Sequence, residues 1–291
     1  MRHPRPGLLA RFLMVGVPAF GLLVAFGPAA GASTAAGVST AVASPSARAA
    51  TVARQTLRHL SIGQHAADHR VAGPSLRVKG LTQVQSTNWS GYADTGSGFS
   101  TVTGSWTEPS VSCSSATSLA AFWVGIDGYS SSSVEQDGTL AECYGGTAYY
   151  YTWWEMYPTN SIQVVGSTLR GGDSITSSVV RSDTSYTLKV TDSSRSADSF
   201  STTQTCSGCA NSSAEWIAEA PSGSNGVYPL SNFHSWTESG ATAKAGSTSG
   251  VISSFSDDEI TMINSSGATK ALPGALNGSG NGFAVTWERS S

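Results

Sequence analysis

Short runs in which apolar and polar residues alternate, each closed by a turn-forming residue, recur along the C-terminal part of this 291-residue chain. Tyr186-Thr-Leu-Lys-Val-Thr-Asp192 is one such run, and Ile175–Val179 and Phe283–Trp287 are others, bounded by Gly, Asn, Asp or Ser. A period of two sends successive side chains to opposite faces of a strand. No window of a dozen residues carries an apolar stripe of period 3.6 with caps at its ends. Many short strands with frequent turn signals, in one region of roughly 210 residues, predict an all-β domain built as an antiparallel β-sandwich of jelly-roll type. No internal repeat of fixed period points to a solenoid or propeller.

The residues able to build a core are unevenly placed. All eight Trp and all nine Tyr follow residue 88, whereas 33–80 is rich in Ala, Ser, Thr, Arg and His and contains no aromatic Phe, Tyr or Trp. Ahead of it, Arg2, His3, Arg5 and Arg11 form a basic head, Phe12–Phe26 an apolar run, and Ala30-Gly31-Ala32 a small-residue cleavage site. That is the pattern of an export signal. The apolar run is shorter than the ~20 residues of a bilayer span, so an extracellular protein without a membrane anchor is expected. The predicted organisation is a signal peptide at 1–32, a basic and largely disordered propeptide at 33–80, and a catalytic β-sandwich at 81–291.

Charge divides at the same boundary. Residues 1–80 hold nine Lys and Arg against one acid, Asp68; the other 211 hold seven against eighteen, a formal charge of −11. Six of the nine leader cations lie behind the signal, so the segment is expected to dock on the acidic body by charge complementarity, as an intramolecular inhibitor. An acidic body repels phosphate, which disfavours a nucleic-acid partner.

Four cysteines suit an oxidising compartment. Of the three possible pairings, Cys113 with Cys143 and Cys206 with Cys209 is expected. The tight Cys206-Ser-Gly-Cys209 lacks the βαβ context of a redox motif, and no second CxxC or His pair completes a zinc site. Four of the five histidines lie in the leader, leaving only His234 in the body. This excludes an HExxH zinc peptidase, and a Ser-His-Asp hydrolase would lack its Gly-x-Ser-x-Gly elbow. Asp94-Thr-Gly96 matches the triplet of aspartic peptidases, but those enzymes need two facing copies. Here Asp-Thr-Gly-Ser-Gly reads as a hairpin turn.

Six blocks then follow in order: Asn88-Trp-Ser-Gly-Tyr92, Val102-Thr-Gly-Ser-Trp106, Phe122-Trp-Val-Gly-Ile-Asp-Gly128, Val134-Glu-Gln-Asp-Gly138, Trp153-Trp-Glu-Met-Tyr-Pro158 and Ala214-Glu-Trp-Ile-Ala-Glu219. This series resembles the glutamic peptidases, or eqolisins, over about 88–290. The resemblance implies two packed seven-stranded sheets, an export signal, a propeptide, no cofactor, no metal, and proteolysis at low pH. It places the catalytic pair at Gln136 and Glu219. Trp123, Asp127 and Glu155 are expected to orient that pair and line the substrate cleft.

The residues make chemical sense on their own. In strand geometry Glu215, Ile217 and Glu219 share one face, and so do Trp153, Glu155 and Tyr157. An acid-rich cleft walled by aromatics follows. A carboxylate there can deprotonate an attacking water and return the proton to the leaving nitrogen, while a carboxamide NH₂ donates to the oxyanion without titrating. Glu215 lies on the same face, so the choice of Glu219 rests on the resemblance. Asp137, where fungal members usually have threonine, is expected to alter local acidities. The expected form is a monomer acting on protein or peptide substrates. The competing reading is a secreted carbohydrate-binding module without catalytic activity, which accounts for the aromatics but not for the basic leader.

Overall fold

The computed structural model describes residues 81–291 and the backbone of Leu76–Val78. The expected signal peptide and nearly all of the expected propeptide lie outside the described residues. Leu76–Val78 is a strand pairing antiparallel with Leu81–Gln83, so β-structure begins ahead of the boundary drawn at residue 81. Among the described residues no helix is long and apolar enough to cross a membrane.

One layer runs, edge to edge, through Asn160–Gly166, Thr147–Tyr157, Val134–Tyr144, Ser118–Ile126, Ser213–Glu219, Trp89–Thr95, Ser256–Ile263, Leu81–Ser86 and Leu76–Val78. Every pairing in it is antiparallel except that of Ser256–Ile263 with Leu81–Ser86, which is parallel. The second layer runs through Phe200–Thr205, Ser185–Asp192, Ser174–Ser182, Phe99–Thr107, Ser235–Ala245 and Thr248–Gly250. Thr269–Pro273 and Phe283–Trp287 link Ser256–Ile263 to the first half of Ser235–Ala245, joining both layers in one network of seventeen strands. The sandwich is therefore unequal, where two sheets of seven were expected. Its all-β class is as the alternation predicts.

Between the layers, Tyr92, Phe122, Val124 and Trp216 of the first meet Phe99, Val179, Leu188 and Trp236 of the second. Trp236 stacks on Phe122 with ring centroids 5.6 Å apart. Each such side chain stabilises the fold by about 1.5–3 kcal/mol on leaving water. The first layer also buries its outer face, where Trp89, Trp123, Leu140, Trp153 and Ile217 form a second cluster. Its central strands are consequently buried on both sides, and Ser213–Glu219 is buried at every position. A polar side chain on that outer face is held away from water by its aromatic neighbours.

Both expected disulfides form, Cys113–Cys143 and Cys206–Cys209. The hairpin turn read at Asp94-Thr-Gly does not form: the flanking strands Trp89–Thr95 and Phe99–Thr107 lie in different layers and do not pair, and Gly96–Gly98, with Gly98 at φ 72°, is a bend that carries the chain from one layer to the other. Asp94 itself is not a turn residue. It lies inside the strand Trp89–Thr95, fully buried and opposite Asp257, and burial reinforced by the Asp257 charge raises its pKa to about 9.

Candidate active site

Four adjacent strands of the first layer align Glu215, Gly125, Gln136 and Glu155 in one row across the sheet. Their neighbours alternate strictly: Phe122, Val124 and Trp216 point into the sandwich, while Trp123, Trp153 and Ile217 point outward with the row. Gly125 is the floor of this row. A Cβ there would stand 2.9 Å from Cζ3 of Trp123, 3.2 Å from Cβ of Gln136 and 3.4 Å from a Glu215 carboxylate oxygen. The missing side chain lets the Trp123 indole lie between the two strands that carry Glu215 and Gln136.

Glu219 lies four residues along its strand from Glu215, in the row of Ala121. Trp123 connects the two rows. Its indole Nε1 donates to Oε2 of Glu219 at 3.0 Å, and its six-membered ring reaches back to Gly125 beside Gln136. Asn88 Nδ2 donates to the other Glu219 oxygen at 3.3 Å, and Asn88 is itself held by the Ser86 hydroxyl at 3.0 Å. Trp89 braces the indole edge-to-face, with centroids 4.9 Å apart. On the opposite side, Gln136 Nε2 donates to Oε2 of Glu155 at 3.0 Å, which fixes the orientation of the carboxamide.

The two acids on the Ser213–Glu219 strand thus have different environments. Glu219 receives two N–H donors, which cannot accept a proton in return and so favour the carboxylate form. Burial pushes Glu215 well above the ordinary carboxylate range, and the charges of Asp127, Glu135 and Asp94 push in the same direction. Burial thus favours the neutral form of Glu215, while two N–H donors converge on Glu219, a distinction that periodicity alone leaves open.

The structure brings Gln136, Glu155, Trp123 and Glu219 onto one face, but Asp127 does not join them. It follows Ile126 with φ 70° and accepts from the backbone N–H groups of Asn211 and Ser212 at 2.6 and 2.8 Å, and from the hydroxyls of Ser212 and Ser133. Its role is to clamp the segment entering the Glu219 strand, which positions the site from outside it. Asp137 also turns away from the site. Its carboxyl points between the layers onto Ser177 Oγ, and burial raises its pKa well above the ordinary value. The expected effect on acidity therefore falls on the sandwich interior rather than on Gln136. Asn88 was missed as a functional residue, although it opens the first of the six sequence blocks.

A solved structure of scytalido-glutamic peptidase with a peptide-based transition state analog matches this fold with a TM-score of 0.59 and 25% identity, over 69% of this chain and 98% of that one. That is the sandwich of the glutamic-type peptidases, which are hydrolases of peptide bonds. The chain belongs to the Peptidase A4 family, which it matches over residues 87–282. It is 29% identical over 197 residues to aspergillopepsin-2 of Aspergillus niger, covering 59% of this chain and 69% of that protein. It is 38% identical over 154 residues to scytalidopepsin B of Scytalidium lignicola, spanning 51% of this chain and 57% of that relative.

Proposed function

We propose that this chain is a secreted acid endopeptidase in which Glu219 and Gln136 act together on a water molecule and a peptide carbonyl. The observation that carries the reading is the paired anchoring of the two groups on one face, Glu219 by Trp123 and Asn88 and Gln136 by Glu155. Glu219 removes a proton from water as the oxygen attacks the carbonyl carbon. The carboxamide nitrogen of Gln136 carries two hydrogens and can donate to the oxyanion that forms. The proton held by Glu219 then passes to the amide nitrogen as the C–N bond breaks, restoring the carboxylate. Trp123 and Glu155 orient the pair and Asp127 holds the strand entry. The matched structure's peptide-based analog supports a peptide as the occupant of this face.

The same reading assigns 1–32 to export and 33–80 to an inhibitory propeptide, with a monomer as the active form. The test is cleavage of an unfolded protein substrate at about pH 3.5, near the range where carboxylates titrate. Glu219→Gln and Gln136→Ala should each abolish cleavage while leaving the circular dichroism spectrum unchanged. Full activity in Glu219→Gln transfers the base to Glu215 or refutes the mechanism. Retention on an insoluble polysaccharide without any cleavage would favour the carbohydrate-binding alternative.

A further inference from the structure

The CxxC segment fails as a metal half-site in sequence because no second pair of ligands accompanies it. The fold supplies a third group from another strand. Glu135 begins the strand Val134–Tyr144 and points to the side opposite Gln136, toward the corner where Phe200–Thr205 ends and Cys206 follows. A carboxylate oxygen of Glu135 and the two sulfurs of Cys206 and Cys209 all lie within 4.8 Å of one another. Glu135 is fully buried, no N–H group donates to its oxygens, and its charged neighbours are the carboxyl of Asp127, close enough to share a proton with it, and Arg181. Asp127 stands beside it, but its own oxygens are engaged by the amides of Asn211 and Ser212 and by the hydroxyls of Ser133 and Ser212. A surface cavity of about 660 Å³ opens onto the same corner, lined by Ser131, Ser133, Thr205, Cys206, Gly208 and Ala210.

We propose that Glu135, Cys206 and Cys209 form a redox-gated site for a thiophilic divalent metal, closed while the two sulfurs are bonded to each other and able to take one Zn²⁺ once the disulfide is reduced. A dithiol or phosphine reductant supplies two electrons, and two protons from solvent complete the thiols. Metal entry then displaces a proton from each sulfur and from Glu135, leaving two thiolates and one carboxylate on the ion. Water from the cavity supplies the fourth ligand of the usual tetrahedral shell. Zinc bonds of about 2.3 Å to sulfur and about 2.1 Å to oxygen set ligand separations of about 3.5–3.8 Å, so after reduction the two sulfurs must move apart from bonding distance while the Glu135 oxygen closes in by about 1 Å. Thiolates select zinc-like ions over magnesium or calcium. The site lies on the face of the sheet opposite the Gln136 row, so it is separate from the peptidase chemistry.

The experiment compares the secreted protein as isolated with the same protein after phosphine reduction, each incubated with Zn²⁺ at mildly acidic pH, desalted and assayed for metal by mass spectrometry. Reduced protein should retain about one zinc per chain and oxidised protein none. Cd²⁺ in place of Zn²⁺ should give the ultraviolet thiolate-to-metal band in the reduced form only. Cys206→Ser with Cys209→Ser should abolish retention while Cys113 and Cys143 stay in place. Glu135→Gln, which keeps volume and disulfide, should weaken binding at least tenfold. The proposal is overturned if reduced protein retains no zinc, if oxidised protein retains as much, if the double serine variant still binds, or if Glu135→Gln binds as tightly as the parent.

Discussion

Raising the pH should unfold this domain well before it reaches the alkaline range. Seven buried acids have pKa values displaced upward in the folded state; Glu142 is raised by burial to about 7, and six are displaced further. Burial, with neighbouring charges in some cases, raises Asp94 to about 9, Glu108 to about 8 and Glu135 to about 10, and it raises Asp137, Glu215 and Glu238 well above their ordinary values. In the unfolded chain the same groups ionise near the ordinary 3.8 to 4.5. Below that range both states hold the protons and the fold is at full strength. Above it the unfolded state releases protons that the folded state retains, so stability falls as pH rises toward the folded values. Each group costs about 1.4 kcal/mol per pH unit above its unfolded value for as long as the fold keeps it protonated, and the costs of the separate groups accumulate. A typical domain has about 5–15 kcal/mol in total. Even at half that slope the fold is lost between about pH 6 and 8. The assay is the melting temperature, followed by circular dichroism from about pH 3 to 8 at constant ionic strength. Glu238→Gln keeps the oxygen that accepts from Ser105 N–H at 2.9 Å, and Asp137→Asn keeps the one that accepts from Ser177. Each should restore about 2–4 kcal/mol at pH 6.5 and shift the unfolding midpoint upward. A melting temperature that is flat or rising from pH 4 to 7, or no shift in either variant, would refute the reasoning.

Two substitutions probe the site itself. Trp123→Phe keeps an aromatic ring but deletes the N–H that holds Glu219; a hydrogen bond to a charged group is worth about 1.5–3 kcal/mol, so kcat/KM should fall about ten- to a hundredfold with little change in melting temperature, and an unchanged pH–rate profile would remove Trp123 from the positioning role. Gly125→Ala forces the indole and Gln136 apart at contacts of 2.9 and 3.2 Å; overpacking of this kind costs about 1–3 kcal/mol, and steady-state kinetics should show kcat lowered more than KM is raised, whereas full activity would show that the floor of the row tolerates a side chain.

The fold class was legible because alternation is local. Ile175–Val179 and Tyr186–Asp192 fall in two neighbouring strands of the second layer, and their apolar positions, Ile175, Val179, Leu188 and Val190, all point into the core. The face shared by Glu215, Ile217 and Glu219 was legible for the same reason. What alternation cannot give is which strand comes to lie beside which. The pairing that aligns Glu215 with Gly125, Gln136 and Glu155 joins segments about ninety residues apart in sequence, and the donors to Glu219 come from residues 88 and 123. Asp137 illustrates the converse limit. Its neighbour Gln136 lies on the outer face in the row with Glu215 and Glu155, yet a shift of one residue along a strand reverses the face, so proximity in sequence there means separation in space. Leu76–Val78 escaped notice because it follows an Arg- and His-rich stretch and is only three residues long, too short for a period to show.

The acids that set the pH response also revise the charge of the body. Its formal −11 counts every carboxylate as ionised, but six of the eighteen stay protonated in the folded state near neutrality, which brings the effective charge to about −5. The remaining negative groups that reach the surface are fewer, and exposed pairs contribute about 0–1 kcal/mol each. Charge complementarity with the leader's six basic residues behind the signal can therefore steer the segment toward the body more readily than it can hold it there. Asp94, Glu108, Glu135, Asp137 and Glu238 lie off the row of Gln136 and turn away from the site face or stand in the second layer, so most of the acids that confine the fold to acid sit apart from the proposed catalytic pair. Glu215 belongs both to the acids of raised pKa and to that row, and Glu142, six residues along the strand from Gln136 and on the same face, shares its upward shift. Burial favours the neutral form of Glu215, which lies four residues from Glu219 on the same strand, so acid stability and the proposed choice of base meet on that strand.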